Sequence, residues 1–306
     1  MDNVKTVQAK ILEIAIFIDK VCRDNNLEYF LMGGTALGAV RHKGFIPWDD
    51  DFDIFMTPSN YSKFKKIISN MQQDKYYLQE WSVTKNYLEY SKLRMNGTTF
   101  IEEVFQNRKD MHHGIYVDIM ILHKCPNNMF KQYFIYFISK YLTLLGLSQR
   151  NWRPKTNFQN VILNLLKLLP NRLLSYFCYK LIYKYDDLVK DFSFYYFITK
   201  AKFEEGIFDY SIFSKPKDVE FEKNIFMGPN LIDKYLYIRF GDFMALPPVN
   251  VRQESIHAKY YDTKNSYENF FGPPFGWSGS ICFVGLAFIN ITGIAKLCYA
   301  FHRTQF

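Results

Sequence analysis

The chain has little cysteine, and none of it is placed for chemistry. Cys22, Cys125, Cys178, Cys282 and Cys298 make an odd, scattered five with no C-x-x-C pair. That argues against a disulfide framework and against zinc-finger spacing, and it predicts reduced, mostly buried thiols in a cytosolic protein. A secretory signal is also lacking. Asp2 and Glu13 interrupt the N-terminus, and no basic segment precedes an apolar run. The apolar runs within 129–200 fall short of the roughly 20 nearly uncharged residues that a membrane-spanning helix needs, and in the apolar tail over 281–295 Asn290 and Thr292 weaken that reading. No block of consecutive basic residues points to nucleic acid, so nucleic acid is not an expected partner.

The 306 residues suffice for one large domain or two small ones, and a hydrophobic content of 48% allows a full core. Aromatic content is 19%, with 23 Tyr and 30 Phe. Stacking platforms, membrane-interface contacts and the codon bias of an AT-rich genome would all produce that. The net charge of +8 and pI near 9.0 favour anionic partners; ordinary solubility charge is the plain alternative.

Chemistry concentrates in residues 31–56, LMGGTALGAVRHKGFIPWDDDFDIFM. A short strand over 28–32 runs into Gly33, Gly34 and Thr35, and 36–40 reads as the start of a helix. A strand, a glycine turn and a helix N-terminus form an anion site, because free backbone N–H groups and the helix dipole point at the ligand. Arg41, His42 and Lys43 follow and suit a polyphosphate; a solvated loop is the alternative. Residues 51–55 alternate, with Phe52 and Ile54 facing a core and Asp51 and Asp53 sharing the other face. Two carboxylates that repel each other near a core need compensation. At this spacing they can converge on Mg²⁺ or Mn²⁺. An Asp-rich turn accounts for Asp49 and Asp50 but not for the alternation that continues into Ile54.

Around this stretch, Val4, Val7, Ile11, Ile14, Ile18 and Val21 recur at spacings of three and four, a packing helix capped by Asp2 or Asn3. Thr57-Pro58 is a helix start, with Tyr61, Phe64, Ile67 or Ile68, and Met71 on its apolar face. A strand over 87–95 puts Lys92 and Arg94 on one side, reaching phosphate or sitting on an exposed edge. A second strand aligns Ile115, Val117, Ile119 and Ile121, and Asp118 interrupts its other face. A third metal ligand accounts for Asp118 better than a buried salt bridge does. Residues 129–200 read as helices that are buried or, as the second reading, lie on a membrane surface. In 231–252 a helix through Tyr235, Leu236 and Ile238 ends at Gly241-Asp242, and Pro247-Pro248 stops further structure.

The segment GGTALGAVRHKGFIPWDDDFDI resembles the signature of the LicD family, which includes fukutin and the fukutin-related protein. HGIYVDIMIL around Asp118 agrees, as does YLYIRFGDFMALPP followed by Arg252 and His257. The likeness spans 28–122 and 219–260. It implies an α+β fold: a nucleotidyltransferase-like core with a mixed β-sheet (1–125), a mainly helical region (126–215) facing acceptor or membrane, a family segment packed on the core (216–262) and a tail (263–306). Carried over, Gly33, Gly34, Asp51, Asp53 and Asp118 hold divalent metal, with Asp49 as ligand or neighbour, and Thr35, Arg41, Lys43, Lys92 and Arg94 join the phosphate site. Trp48, Asp242, Arg252 and His257 are further family positions. The gap between Gly34 and Asp51 exceeds that of minimal nucleotidyltransferases, and LicD-like proteins share it. The implied activity moves a phospho-alcohol, phosphorylcholine foremost, from a CDP-alcohol such as CDP-choline to a glycan or lipid-linked glycan of lipopolysaccharide, teichoic acid or capsule. The missing secretory signal favours a cytoplasmic, bacterial-type member, with the inner face of the membrane as the second expectation. An NTP-dependent nucleotidyltransferase and a non-catalytic nucleotide- or glycan-binding adaptor are the competing readings.

Overall fold

A computed structural model describes residues 4–80, 90–148, 156–167, 171–198, 201–248 and 257–271. Helix α1 (Val4–Asp24) buries Val7, Ile11, Ile14, Ile18 and Val21, the face that the spacing predicts. The expected Asp2 or Asn3 cap lies outside the described residues. Strand β1 (Phe30–Leu31) leads into α2 (Gly33–His42), β2 (Asp53–Met56) and α3 (Pro58–Asn70). Thr57 caps α3 as expected, its hydroxyl accepting from Asn60 N–H. Met71 departs from expectation: it ends the helix and is exposed.

Strands β3 (Tyr76–Gln79), β4 (Ser91–Met95), β5 (Thr99–Glu102) and β6 (Tyr116–Ile121) follow. The central sheet has the order β1-β2-β6-β4-β3. β2 and β6 are parallel and the other neighbours antiparallel, so the sheet is mixed. α1 packs on β4 and β6, and α3 packs on β2 and β3. All six residues of β6 are buried, so both of its faces are covered, not only the isoleucine face. β4 is an interior strand, which overturns the exposed-edge reading of Lys92 and Arg94; both are fully buried.

The region expected to be helical is only partly so. Helices α4 (Met129–Ser148), α5 (Asn157–Lys167) and α6 (Asn171–Tyr183) are there. A three-stranded sheet accompanies them, built from β7 (His123–Pro126), β8 (Phe192–Tyr195) and β9 (Ile207–Phe208). The run FSFY in β8 is aromatic on both faces and carries no alternation to mark a strand. Burial of these helices is also incomplete, since Phe130, Phe134, Phe137, Leu165, Leu173 and Phe177 are exposed. No described helix is long and apolar enough to cross a membrane.

A hairpin, β10 (Lys217–Phe221) and β11 (Asn224–Gly228), precedes α7 (Ile232–Phe240). Its two-residue turn, Glu222-Lys223, takes positive φ at both positions. That conformation usually draws Asn-Gly, so Glu222-Lys223 carries no turn signal. α7 ends at Gly241 (φ +65°). Strand β12 (Ala258–Asp262) pairs with β5, and α8 (Tyr267–Phe271) closes the described chain. One apolar core runs from Val7 on α1 to Leu236 on α7 and includes residues of α4 and α6. Residues to Phe271 form one compact unit; the tail beyond it is outside the described residues.

Candidate active site

The sheet register builds the site. Asp53 lies opposite Asp118 across the parallel pair, Lys92 opposite Asp118 on the other side, and Gln79 opposite Lys92. One row across four strands therefore reads Asp53, Asp118, Lys92, Gln79. Lys92 Nζ is 2.9 Å from Asp118 Oδ1 and 3.4 Å from Glu102 Oε1, so Asp118 does have the buried salt bridge that the sequence reading disfavoured. It is an ion pair without an aligned hydrogen bond: Asp118 Oδ1 and Asp53 Oδ1 are both enclosed without a hydrogen-bond partner. Arg94 donates to Gln79 Oε1, the Gly114 carbonyl and Glu102 Oε2. It braces the row from inside the core, with its guanidinium committed to protein partners.

Helix α2 begins at Gly33 itself, one turn earlier than expected, and its first turn lies against the carboxylates. Gly33 has φ +51°, and a Cβ there would sit 3.5 Å from Asp53 Oδ2; a Cβ at Gly34 would come within 2.8 Å of Asp49 Oδ2. The positive φ favours glycine at 33, and the close approach of Asp49 favours it at 34. Met32 precedes the helix and offers no side-chain cap, while Gly33 N–H donates to Tyr235 Oη. Thr35 Oγ1 accepts from Asp53 N–H at 2.8 Å. Its hydroxyl oxygen thus ties α2 to the first residue of β2, and its O–H remains a donor.

Asp49, Asp50 and Asp51 approach from the loop before β2. Gln8 of α1 holds that loop through the Ile46 and Asp49 carbonyls. Asp50, buried, accepts from His257 N–H, His257 Nδ1 and Ala258 N–H. His257 Nδ1 is also 3.5 Å from Asp51 Oδ2. Ligand atoms of Asp49, Asp50 and His257 lie within 4.8 Å of one another, but the three N–H groups on Asp50 make it a clamp.

These acids strain one another electrostatically. Burial raises Asp53 well above the usual carboxylate range, and Asp51, Asp118 and Asp49 push the same way. Burial raises Asp118 to about 6, with Lys92 opposing it. Asp49 rises to about 8 through burial and the neighbouring Asp51, and Asp51 rises through burial. The hydrogen bond to Asp50 raises His257, whose side chain is half exposed. An enclosed oxygen without a donor, among acids that resist ionising together, is what a hard divalent cation satisfies, and carboxylate oxygens are the donors that Mg²⁺ or Mn²⁺ takes; among the described residues only Asp49, Asp50 and His257 bring three ligand atoms within 4.8 Å of one another.

Beside the cluster is a cavity of about 420 Å³ lined by Gly34, Asp49, Trp48, Arg41, Asp242 and Phe243, among others. Trp48, Arg41 and Asp242, expected from sequence, meet here. Arg41 Nη1 donates to the Phe243 and Ala245 carbonyls. Arg41 and Lys43 stand at the C-terminal end of α2, not beside its glycine turn. Lys43 is exposed and does not line the cavity. Arg252 lies outside the described residues. Sequence reasoning missed Gln8, Asp50, Glu102 and Tyr235. Glu102 carried a usable signal, an acid ending the apolar strand β5, of the kind that marked Asp118.

The family profile for LicD/FKTN/FKRP, nucleotidyltransferase domain, matches residues 26–144, from β1 into α4. The lipopolysaccharide cholinephosphotransferase LicD of Haemophilus influenzae is 29% identical over 260 residues, 79% of this chain and 91% of that protein. An uncharacterised protein of Rickettsia prowazekii is 32% identical over 120 residues, 38% of this chain and 40% of its own length. With the glycine turn, the acidic strands and the late His257 segment gathered in one place, the chain is similar to the LicD family over residues 26–144 and to the Haemophilus protein over most of its length.

Proposed function

We propose that this chain is a metal-dependent phosphotransferase that moves a phospho-alcohol group, phosphorylcholine foremost, from a CDP-activated donor to a hydroxyl of a cell-surface glycan: lipopolysaccharide, teichoic acid or capsule. The carrying observation is the pair Asp53 and Asp118, set in register on adjacent parallel strands, with Asp53 Oδ1 enclosed without a hydrogen-bond partner and Asp118 Oδ1 facing Lys92 Nζ at 2.9 Å. Similarity to the Haemophilus cholinephosphotransferase supports the substrate class.

Asp51, Asp53 and Asp118, with Asp49 beside them, would hold Mg²⁺ or Mn²⁺, which supplies neutralisation of the donor's diphosphate. The first turn of α2 directs backbone N–H groups at phosphate oxygens. The cavity beside it offers Trp48 and Phe243 with the carboxylates of Asp49 and Asp242, a composition suited to a quaternary ammonium group. An acceptor hydroxyl oxygen attacks the choline-bearing phosphorus and the bond from that phosphorus to the bridging oxygen breaks. CMP leaves, and the hydroxyl proton passes to a carboxylate of the cluster. A cytoplasmic position at the inner face of the membrane fits the free cysteines and a lipid-linked acceptor.

The test is turnover of CDP-choline with Mg²⁺ and a lipopolysaccharide acceptor. Equal amounts of CMP and glycan-bound phosphorylcholine are expected, with both abolished by EDTA. Pyrophosphate released from an NTP would make the protein a nucleotidyltransferase instead, and metal-dependent nucleotide binding without turnover would make it an adaptor.

A further inference from the structure

The chain's positive charge is not spread over its surface. Between Asp118 and Asp186 there is no Asp or Glu, while ten Lys or Arg occur; outside that stretch acids outnumber bases by two. Residues 119–185 thus carry a formal charge of +10 and the rest of the chain −2; β7, α4, α5 and α6 lie within that stretch. The same helices leave large apolar side chains in solvent. On α4, Phe130, Phe134 and Phe137 follow one another at helical spacing with exposures of 88%, 57% and 66%. On α5 Leu165, and on α6 Leu173 and Phe177, are more than half exposed. α5 and α6 both pack on α4.

We propose that this exposed face docks on an anionic lipid bilayer. Apolar side chains at helical spacing, flanked by lysines and free of acids, describe a helix that lies in the headgroup region rather than crossing it. Lys131, Lys167 and Lys180 are exposed on these helices, and Lys184 is exposed in the turn just after α6. Lys180 Nζ sits 4.7 Å from the centroid of the Tyr176 ring; that ring is half exposed. Lysine beside an exposed tyrosine suits the interface, where the ring meets acyl chains and the ammonium meets phosphate. Charge argues against the other occupants. A second copy would bring the same acid-free surface against itself, and residues 272–306, which also lack Asp and Glu, would add like charge. The surface does not depend on the transfer chemistry, so its test is separate.

The full-length protein is sedimented with vesicles of phosphatidylcholine alone and with vesicles in which about one third is phosphatidylglycerol. Binding to the anionic vesicles is expected, weakening with added salt. The triple variant Phe130→Glu/Phe134→Glu/Phe137→Glu should bind at least about tenfold more weakly while keeping its circular dichroism spectrum. The variant Lys131→Ser/Lys180→Ser/Lys184→Ser keeps the apolar face and should lose most of the preference for anionic vesicles. Absence of wild-type binding to anionic vesicles overturns the proposal, as does equal binding by the phenylalanine variant. A concentration-dependent dimer that this variant abolishes, with no vesicle binding, would assign the face to a second copy.

Discussion

The carboxylate of Asp50 holds both the backbone N–H and the ring of His257, 207 residues away in sequence. It also takes the N–H of Ala258, the first residue of β12, which pairs with Glu102 of β5. Glu102 in turn faces Lys92, and Lys92 faces Asp118. A residue that reads as part of a turn therefore fastens the late segment of the chain to the row that carries the acids.

Replacing Asp50 with Ala should loosen that late segment. Three N–H groups lose one charged acceptor, and hydrogen bonds to charged groups contribute about 1.5–3 kcal/mol each, non-additively. A loss of about 2–4 kcal/mol is expected by urea denaturation, together with faster proteolysis after β12. His257→Ala removes only the ring contact and should cost less. Equal losses in the two variants would show that the backbone donors contribute nothing.

Asp53→Asn separates catalysis from stability. A buried carboxylate among like charges, with an oxygen that no donor reaches, weakens the protein when no cation is bound. The metal-free variant should melt at or above the wild-type temperature. Wild-type protein should gain stability from millimolar Mg²⁺ or Mn²⁺ by mass action, the variant should gain none, and turnover should fall by at least about 100-fold. A variant that the cation still stabilises would remove Asp53 from the metal site.

The two glycines of α2 should fail in different ways. Gly33 sits at φ +51°, so Gly33→Ala carries the left-handed penalty of about 1–2 kcal/mol and lowers the melting temperature. Gly34 has ordinary φ, and the atom nearest its added Cβ is the Asp49 carboxylate, which can swing aside. Gly34→Ala should leave stability nearly unchanged and weaken donor binding, read as a raised KM for CDP-choline. The reverse pattern would mean that the close approach at Gly34, not the backbone at Gly33, limits folding.

Much of this site could be read from sequence because its parts are local. The turn at Gly33-Gly34, the alternation through Asp53 and the lone Asp118 in an apolar strand each leave a mark within a few residues. What brings them together is long-range. Nothing near Asp50 announces His257, and nothing near Lys92 says that β4 is interior and borders β6, which turns an apparent edge lysine into the partner of Asp118. The Glu222-Lys223 turn failed to signal its hairpin because its positive φ values are imposed from outside the turn: Glu222 N–H donates to the Lys43 carbonyl, and its carboxylate accepts from Phe45 N–H. The helices α4 to α6 were legible as helices, but the sequence could not say which apolar faces find partners.

The pH dependence of stability should have an acid limb set by Glu102. Burial pushes its carboxyl up, but the charges of Lys92 and Arg94 more than offset that, and its pKa is held at about 2 against an ordinary 4.5. A depressed carboxylate pKa stabilises the folded state fully above the unfolded value, and the contribution disappears as pH falls through the folded one. The window is therefore pH 4.5 down to about 2, and the contribution lost across it is on the order of 3 kcal/mol. Glu102→Gln should remove that part of the acid limb. It should also destabilise the protein at neutral pH by about 3–5 kcal/mol, because Lys92 and Arg94 stay buried with one counter-charge fewer. Urea titrations of both proteins across that window check this. Parallel stability curves for wild type and variant would show that other carboxylates carry the acid sensitivity, and that the Lys92–Glu102 contact orients Lys92 toward Asp118 without contributing to acid stability.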